Sequence, residues 1–219
     1  MNNNLHMDRS FGMLKYFSYL VSFVLLILIL AQLNRQGETK MELREVEISE
    51  IQPLDIVFGR YDANLPVYVY ASYNCSYCRM FLEDVMPVIL EKYPDRVKVI
   101  LRLTRRTNDL RVKRALSALV CVHKYGKYNP LHELLLNNHK VIYTEEFQTM
   151  ITEFAERDAF VGECMDAGAA ATYLTANVKE FERLKLPGTP SFVVEGRVYA
   201  GFQSVEQFER IIENGLVNL

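Results

Sequence analysis

The chain has 219 residues, of which half are hydrophobic, and its 25 lysines and arginines nearly balance its 27 aspartates and glutamates. This length is enough for one domain with a substantial apolar core and a short additional segment. The formal net charge of −2 argues against a general role in binding nucleic acid or another polyanion, because such proteins carry an excess of basic residues.

The N-terminus carries an apolar segment. Residues 16–34 contain no charged side chain, and their number is at the lower end of what can span a hydrocarbon core of about 30 Å. Arg9 and Lys15 precede this segment, so the positive-inside rule predicts that residues 1–15 form a cytoplasmic stub and that the rest of the chain lies outside. We therefore predict an uncleaved signal anchor, a transmembrane helix, over residues 16–34.

The alternative for this segment is a signal peptide that is removed after export. Such peptides have an apolar region of about 7–15 residues before a small-x-small cleavage site. Ala31 fits the last residue before cleavage, but Ile29 is a poor residue two positions earlier. In either case residues 35–60, which are rich in charge, are predicted to be a spacer, partly ordered near residues 51–58, before a folded domain over residues 61–219.

The start of this domain contains a pair of cysteines between a predicted strand and a predicted helix. The β-branched and aromatic run Val67–Tyr70 predicts a buried strand, and a short polar turn leads through Cys75-Ser76-Tyr77-Cys78 into a helix that ends near Tyr93. The first cysteine thus lies at a helix N-terminus, where free N–H groups and the helix dipole favour a thiolate. The second lies one turn further on and can close a small disulfide ring. Cys75 is the candidate nucleophile and Cys78 the resolving thiol.

The same spacing is also half of a common zinc site. A site with four ligands needs a second cysteine pair, and the sequence has no other Cys-x-x-Cys. Cysteine redox chemistry is therefore favoured, and no metal site is predicted.

A second predicted strand, Val97–Leu103, is followed by an interval over residues 105–185 that has helical patterns throughout. Its helices are predicted over residues 110–125, from Asn129-Pro130 onward, around residues 147–155 and over residues 169–185. In the earlier helix, Pro87 is expected to cause a kink, since proline lacks an N–H and clashes with the preceding turn.

The helical interval contains the two remaining cysteines, Cys121 and Cys164. They are expected to form a structural disulfide if the domain faces an oxidising compartment. The alternative is two buried free thiols that act as small hydrophobic residues.

Other polar features of the domain have ordinary structural explanations. A basic cluster after the second strand lacks interleaved aromatic residues and is interpreted as a solvated face rather than a nucleic-acid site. Three histidines are interpreted as surface residues or as buried residues with satisfied hydrogen bonds. The basic cluster comprises Arg102, Arg105, Arg106, Arg111, Lys113 and Arg114, and the histidines are His123, His132 and His139.

The C-terminal part predicts a hairpin and a helix. Residues 186–201 contain a turn, a short strand, the hairpin turn Glu195-Gly196 and a return strand. Ser204 and Gln207 form a capping box for the last helix, which Gly215 is expected to end.

The cysteine pair, the late tripeptide Gly188-Thr189-Pro190 and the hairpin together resemble the thioredoxin superfamily, and specifically its DsbA-like branch. The resemblance covers about residues 55–216. It implies an α/β thioredoxin fold with an inserted helical domain at residues 105–185. It also implies that Pro190 is a cis-proline facing the cysteines, and that Ser76, Tyr77, Thr189 and Pro190 contact the substrate.

In function, the resemblance implies a thiol:disulfide oxidoreductase on the periplasmic side of the cytoplasmic membrane. Its substrates would be the thiols of exported proteins, and a membrane protein would re-oxidise it. The redox-active Cys75–Cys78 disulfide would take the place of a cofactor. Two family features differ here: Val69 and Ser72 stand where many relatives have an acid, and the dipeptide Ser76-Tyr77 is not the Pro-His of the strongest oxidants.

Two alternatives remain open at this stage. The direction of exchange is not set by the sequence, so a reductase or an isomerase of the same fold is the first. The second is a module that binds Cu(I) through its two thiolates, with Met80 nearby but without a suitably placed histidine.

Overall fold

The computed structural model describes residues 19–27, 45–104, 107–125 and 128–218. The chain divides into two units, Met1–Glu42 and Leu43–Leu219. In the first unit, residues 19–27 are helical. No helix among the described residues is long and apolar enough to cross a membrane, and the predicted stub and most of the predicted anchor lie outside these residues.

The second unit contains a five-stranded sheet with the order β1-β3-β2-β4-β5. The central pair β2 and β3 is parallel, and the remaining neighbours are antiparallel. The strands are β1 (Ile56–Gly59), β2 (Leu65–Ala71), β3 (Val97–Leu103), β4 (Ser191–Val194) and β5 (Arg197–Ala200). The predicted strands therefore form, and β1 adds a strand that the sequence did not reveal.

Helices surround this sheet, and five of the described helices lie between β3 and β4 as the predicted insertion. The α-helices described in this unit are α1 (Ser76–Met80), α2 (Met86–Lys92), α3 (Leu110–Lys124), α4 (Tyr128–Asn137), α5 (Glu145–Arg157), α6 (Ala159–Asp166), α7 (Ala169–Arg183) and α8 (Val205–Val217), and those from α3 to α7 form the insertion. A 3-10 turn, His139–Tyr143, connects α4 to α5. The architecture is the α/β sheet with a helical insertion that the sequence predicts.

Both faces of the sheet are covered, as the alternation of side chains along β2 requires. Val67 and Val69 belong to the larger apolar core, whereas Tyr70 packs with Leu184 and Val193 on the other face. The larger core includes three phenylalanine rings, those of Phe81, Phe192 and Phe208, with centroids 4.7 to 5.0 Å apart.

The helix after the cysteines changes its winding before Pro87. Residues Phe81–Val85 form a π-helical segment between α1 and α2, and Pro87 lies in the first turn of α2. A proline cannot donate the N–H bond of a regular α-turn, so a locally wider turn at this point removes the conflict. The predicted irregularity is therefore present as a π-segment.

Gly215 was expected to end the last helix, and this prediction is wrong. Helix α8 starts with the predicted capping box of Ser204 and Gln207 but continues to Val217. A Cβ atom on Gly215 would lie 3.0 Å from Val194 and 3.1 Å from Leu65. The glycine therefore allows α8 to approach the sheet closely.

The interpretation of Arg102 as part of a solvated face is also wrong. Its side chain is completely buried and forms a double ion pair, with Asp55 at 2.9 Å and Glu180 at 2.5 Å. Within the described part of the basic cluster, only Arg111, Lys113 and Arg114 are exposed as predicted. A buried guanidinium requires such partners because desolvation of an unpaired charge is very unfavourable.

Arg102 also orders the C-terminal part of the predicted spacer at residues 35–60, where the sequence predicts partial order. Arg102 also donates to the backbone oxygens of Ser49 and Glu50, at 3.1 and 2.9 Å. Residues 49–55 are thus fixed to β3 and α7, and β1 follows directly. The charged composition of this segment resembled a linker, but one of its charges, Asp55, is buried in an ion pair.

The predicted disulfide is present in the structure. Cys121 in α3 and Cys164 in α6 are bonded, with Cα atoms 5.8 Å apart, so two helices of the insertion are cross-linked. The alternative of two free thiols does not hold in this structure.

We expect Arg102→Met to lower the free energy of unfolding by about 3–5 kcal/mol, because it leaves two buried carboxylates without their cation. Urea unfolding followed by circular dichroism measures this change. Arg60→Met is the matched control, since Arg60 forms only exposed ion pairs with Asp62 and Asp95. Equal effects of the two substitutions would contradict the assignment of Arg102 as the charge that holds the segment.

Replacement of Cys121 and Cys164 by alanine should lower the free energy of unfolding by about 2–4 kcal/mol, because the unfolded chain gains the entropy of an open loop. Thiol exchange at Cys75 should stay nearly unchanged in the folded double variant. A large loss of exchange in a folded sample would show that this disulfide takes part in electron transfer.

Candidate functional site

The first cysteine lies just beyond the C-terminal end of the central strand β2. After β2 ends at Ala71, the chain turns, and the Cys75 N–H donates to the Ser72 carbonyl oxygen at 3.0 Å. Cys75 has an extended backbone conformation and is the N-cap of α1. Its Sγ accepts a hydrogen bond from the Cys78 N–H at 3.4 Å, as an N-cap side chain does.

The two cysteines differ in exposure. Both are free thiols in the structure, and Cys75 is half-buried, whereas Cys78 is fully buried. This difference follows from the helix, because Cys78 lies one turn further on and on the side that faces the core. An incoming thiol can therefore reach Cys75 directly, and Cys78 only through it.

The loop before β4 faces these thiols. The Thr189–Pro190 peptide bond is cis, in agreement with the sequence expectation. The Cys75 thiol donates to the Thr189 carbonyl oxygen at 3.2 Å. The loop is held by two further bonds, from the Ser191 hydroxyl to the Gly188 oxygen at 2.6 Å and from the Gly201 N–H to the Pro190 oxygen at 2.9 Å.

The surroundings of the two thiols shift their pKa values in opposite directions. Burial on its own would raise the pKa of Cys75, but hydrogen bonds from the Cys78 thiol and N–H, the Thr189 side chain and the Tyr77 backbone outweigh it. The pKa of Cys75 therefore lies below that of an ordinary thiol. Burial raises the pKa of Cys78 to about 12. Of the two thiols, Cys75 is therefore the one that ionises at the lower pH.

The rim of the site is aromatic. Tyr77, between the two cysteines, is 58% exposed, and its ring centroid lies 6.2 Å from that of Phe202. Ser76 is exposed beside it. The sequence predicted Ser76 and Tyr77 at this position but not Phe202, which follows β5 and reaches the rim only through the fold.

A buried polar cluster supports the loop that carries Cys75. The Tyr73 hydroxyl lies 2.5 Å from the Tyr128 hydroxyl and 2.5 Å from His132 Nδ1. Arg79 donates to the Tyr73 carbonyl oxygen at 2.6 Å, which ties α1 back to the loop. Sequence reasoning missed this cluster, because its members come from the turn after β2 and from α4.

His123 and His132 are buried or partly buried residues with hydrogen-bond partners, as the sequence analysis predicted. His132 is buried, and burial lowers its pKa to about 4. His123 accepts a hydrogen bond from the Val57 N–H at 3.1 Å. Among the described residues, no group of three or more histidine, cysteine, aspartate or glutamate side chains is arranged to hold a metal ion.

Neither of the two positions at which many relatives have an acidic residue, those of Val69 and Ser72, has a carboxylate in this chain. Val69 is completely buried in the larger core. Ser72 is half-buried, and its hydroxyl accepts from the Asn74 N–H at 3.4 Å. Neither position therefore contributes a carboxylate to the lowered pKa of Cys75, whereas the Cys78 N–H at the start of α1 donates to its sulfur.

The fold and this site define a thioredoxin-fold protein whose Cys-x-x-Cys pair faces a cis-proline loop. A family model described as Thioredoxin matches residues 52–214. The chain therefore belongs to the thioredoxin family, as the sequence motifs indicate. No curated protein sequence matches the chain.

Solved structures of the same fold include DsbA-like proteins. A thioredoxin-like oxidoreductase from Silicibacter pomeroyi DSS-3 matches with a TM-score of 0.61 and 21% identity, covering 75% of this chain and 94% of its own. Alpha-DsbA1 from Wolbachia pipientis has a TM-score of 0.60 and 19% identity, with 77% and 96% covered. A periplasmic thioredoxin-like protein from Salmonella enterica serovar Typhimurium has a TM-score of 0.59 and 20% identity, with 78% and 99% covered. These matches establish the predicted thioredoxin fold with its helical insertion.

We expect alkylation to distinguish the two thiols. In the reduced protein, Cys75 should react with iodoacetamide already below the pH at which an ordinary thiol ionises, since its pKa is lowered. Cys78 should remain unmodified up to strongly alkaline pH, because its pKa is about 12. Peptide mass spectrometry after timed alkylation at several pH values measures both rates. Equal rates near neutral pH would refute the assignment of roles.

Proposed function

We propose that the chain is a thiol:disulfide oxidoreductase in which Cys75 is the nucleophile and Cys78 the resolving thiol. The observation that carries this proposal is the position of Cys75 Sγ, half-buried at the N-terminus of α1, where it accepts a hydrogen bond from the Cys78 N–H at 3.4 Å. A reactive thiol needs stabilisation of its anion and access for a second sulfur, and Cys75 has both.

The exchange proceeds through a mixed disulfide. In the oxidising direction, a substrate thiolate attacks Cys75 Sγ, the Cys75–Cys78 bond breaks, and Cys78 departs as a thiolate that takes up a proton. A second substrate thiolate then attacks the substrate sulfur and releases Cys75 as a thiolate. The substrate loses two electrons and the cysteine pair gains them, so each turnover leaves the pair reduced.

Thr189 and Pro190 would contact the substrate beside the mixed disulfide. Their loop already approaches Cys75, and the Thr189 backbone could pair with an extended chain in the manner of strand addition. Ser76 and Tyr77 would line the opposite side of the incoming sulfur.

We place the catalytic domain outside the cytoplasm, tethered by a membrane anchor at residues 16–34. Support comes from the uncharged sequence of that segment and from the Cys121–Cys164 bond, since structural disulfides persist mainly in oxidising compartments. One protein of the same fold is described as periplasmic. The substrates would be exported proteins with thiols, and a membrane partner would re-oxidise the pair.

The geometry favours the oxidising direction over the reductase and isomerase alternatives. Hydrogen bonds that stabilise the Cys75 thiolate stabilise the reduced form of the pair, and this makes the disulfide a stronger oxidant. They also make Cys75 a good leaving group in the second step.

Substitution of each cysteine should give a different result in an assay of insulin reduction by dithiothreitol. Cys75→Ser should reduce the rate to the background, because no nucleophile remains accessible. Cys78→Ala, once reduced and freed of dithiothreitol, should instead accumulate mixed disulfides with protein substrates, detectable on non-reducing gels, because no neighbouring thiol of the chain resolves them.

The control is the Cys121→Ala/Cys164→Ala variant, which retains the proposed redox pair and should reduce insulin at the normal rate. Mixed disulfides that accumulate through Cys78 when Cys75 is absent would reverse the proposed roles. No insulin reduction by the unmodified protein, together with no oxidation of a reduced protein, would refute the proposed function.

A further inference from the structure

A large cavity lies inside the helical insertion, apart from the thiol site. It has a volume of about 700 Å³, and the helices α3, α4, α5 and α6 form its walls. Each of these helices contributes apolar side chains, among them Val122, Leu134, Ile151 and Val161. Neither cysteine of the redox pair lines this cavity, and nor does the loop of Thr189. The proposed thiol chemistry therefore does not use it.

The size of the cavity fits a small organic molecule. Ligand sites in proteins have volumes of about 300–1,000 Å³ and often lie between the helices of a bundle. At about 30 Å³ for each water-sized group, the cavity can contain up to about 20 non-hydrogen atoms. A single side chain inserted by a protein partner would leave most of this volume unfilled, and unfilled apolar space is unfavourable. The volume therefore favours a small molecule over a protein surface.

Two walls of the cavity are cross-linked. Cys121 in α3 precedes Val122, Cys164 in α6 precedes Met165, and both Val122 and Met165 line the cavity. The disulfide between the two cysteines joins these helices. Helices that pack around an empty apolar space are driven to close it, because a cavity lowers stability in proportion to its volume. The cross-link limits how far α3 and α6 can adjust in this way.

The lining of the cavity is uncharged. Among the described residues that line it, there is no lysine, arginine, aspartate or glutamate. An ionised ligand group buried there would lack a partner of opposite charge, which is very unfavourable. Met150 and Met165 belong to the lining, and their unbranched side chains adapt to ligands of different shape. The cavity therefore favours a neutral, mainly apolar molecule.

One polar side chain of the lining has an available hydrogen-bond donor. His123 in α3 lines the cavity, and its Nε2 accepts a hydrogen bond from the Val57 N–H at 3.1 Å. Burial lowers the pKa of His123, so its ring is neutral at neutral pH and carries its proton on Nδ1. No described residue accepts from Nδ1, and this atom is not sealed from solvent. The Nδ1–H group can therefore donate to an oxygen of a ligand.

We propose that this cavity binds a neutral, mainly apolar molecule of up to about 20 non-hydrogen atoms that has one carbonyl oxygen. The carbonyl oxygen accepts a hydrogen bond from His123 Nδ1. The apolar part of the molecule lies between the four helices, in contact with Met150 and Met165. This proposal is independent of the proposed function, because none of these residues takes part in thiol exchange.

The test uses the full chain and benzophenone, a neutral molecule with two phenyl rings and one carbonyl oxygen. Irradiated benzophenone inserts into nearby C–H bonds, with a preference for those of methionine, so peptide mass spectrometry locates it. The readout is the benzophenone concentration at which labelling of Met150 and Met165 reaches half of its maximum. We expect labelling of these two residues to saturate, whereas labelling by non-specific partition rises in proportion to concentration.

A larger side chain in the cavity should prevent binding. Leu134→Trp introduces a bulky ring from α4 and should raise the half-saturating concentration about tenfold or more, because ring and ligand cannot share the space. Leu136→Trp is the matched control, since Leu136 is also half-buried on α4 but does not line this cavity. It should leave the half-saturating concentration unchanged. Circular dichroism verifies that both variants are folded.

The contact with the carbonyl oxygen is tested with diphenylmethane, which resembles benzophenone in shape but has no acceptor. Its affinity is measured by competition against benzophenone labelling. His123→Phe retains a ring and removes the donor, so it should weaken the binding of benzophenone about fivefold, the factor of one ordinary hydrogen bond. The affinity for diphenylmethane should stay nearly the same. Because both compounds are measured on the same folded variant, a change in its stability does not alter the comparison.

Three results would overturn the proposal. The first is labelling of Met150 and Met165 that does not saturate, or that saturates equally in Leu134→Trp. The second is an equal effect of His123→Phe on the affinities for benzophenone and diphenylmethane. The third is saturable labelling by the anion 4-benzoylbenzoate at the concentrations that suffice for benzophenone, since the uncharged lining should exclude an anion.

Discussion

The site depends on the antiparallel pairing of β2 with β4. In this pairing Tyr70, one residue before the end of β2, is opposite Ser191, the first residue of β4. The loop that follows β2 leads to Cys75, and the loop that precedes β4 contains Thr189 and Pro190. Residues more than one hundred positions apart are thereby fixed beside each other by backbone hydrogen bonds, and the Cys75 thiol contacts the Thr189 carbonyl oxygen directly.

The long insertion between β3 and β4 is bonded to the sheet through its last helix. Helix α7, the last element of the insertion, is bonded through Glu180 to Arg102 on β3, and Asp55 binds the same guanidinium. The buried charge thus connects the insertion, the sheet and the segment before β1. A hydrophobic contact would stabilise similar surfaces, but a guanidinium with fixed donors also specifies their orientation.

The sequence was sufficient where the relevant information is local. The positions of Cys75 and Cys78 follow from a strand, a turn and a helix within one short stretch, and Ser204 with Gln207 is a local capping signal. The cis-proline and the insertion were predicted from the resemblance to a family.

Other features could not be predicted from the sequence. In the sequence, Arg102 is one basic residue among several, and only its register next to Tyr70 in the sheet shows that it must be buried. Gly215 has the same limitation, since its role depends on how closely α8 approaches Leu65 and Val194. Phe202 and the Tyr73 cluster depend on contacts between distant elements, which no local pattern encodes.

The central claim is that Cys75 and Cys78 form a reversible two-electron couple at the cis-proline loop. Its most direct test is a redox titration of the protein in glutathione buffers, with each cysteine assigned by alkylation and peptide mass spectrometry. We expect a single transition that converts Cys75 and Cys78 together, with a potential between about −270 and −120 mV, the range of proteins that exchange disulfides. Cys121 and Cys164 should remain bonded throughout. A titration in which Cys75 and Cys78 never form a disulfide, or in which only Cys121 and Cys164 change state, would contradict it.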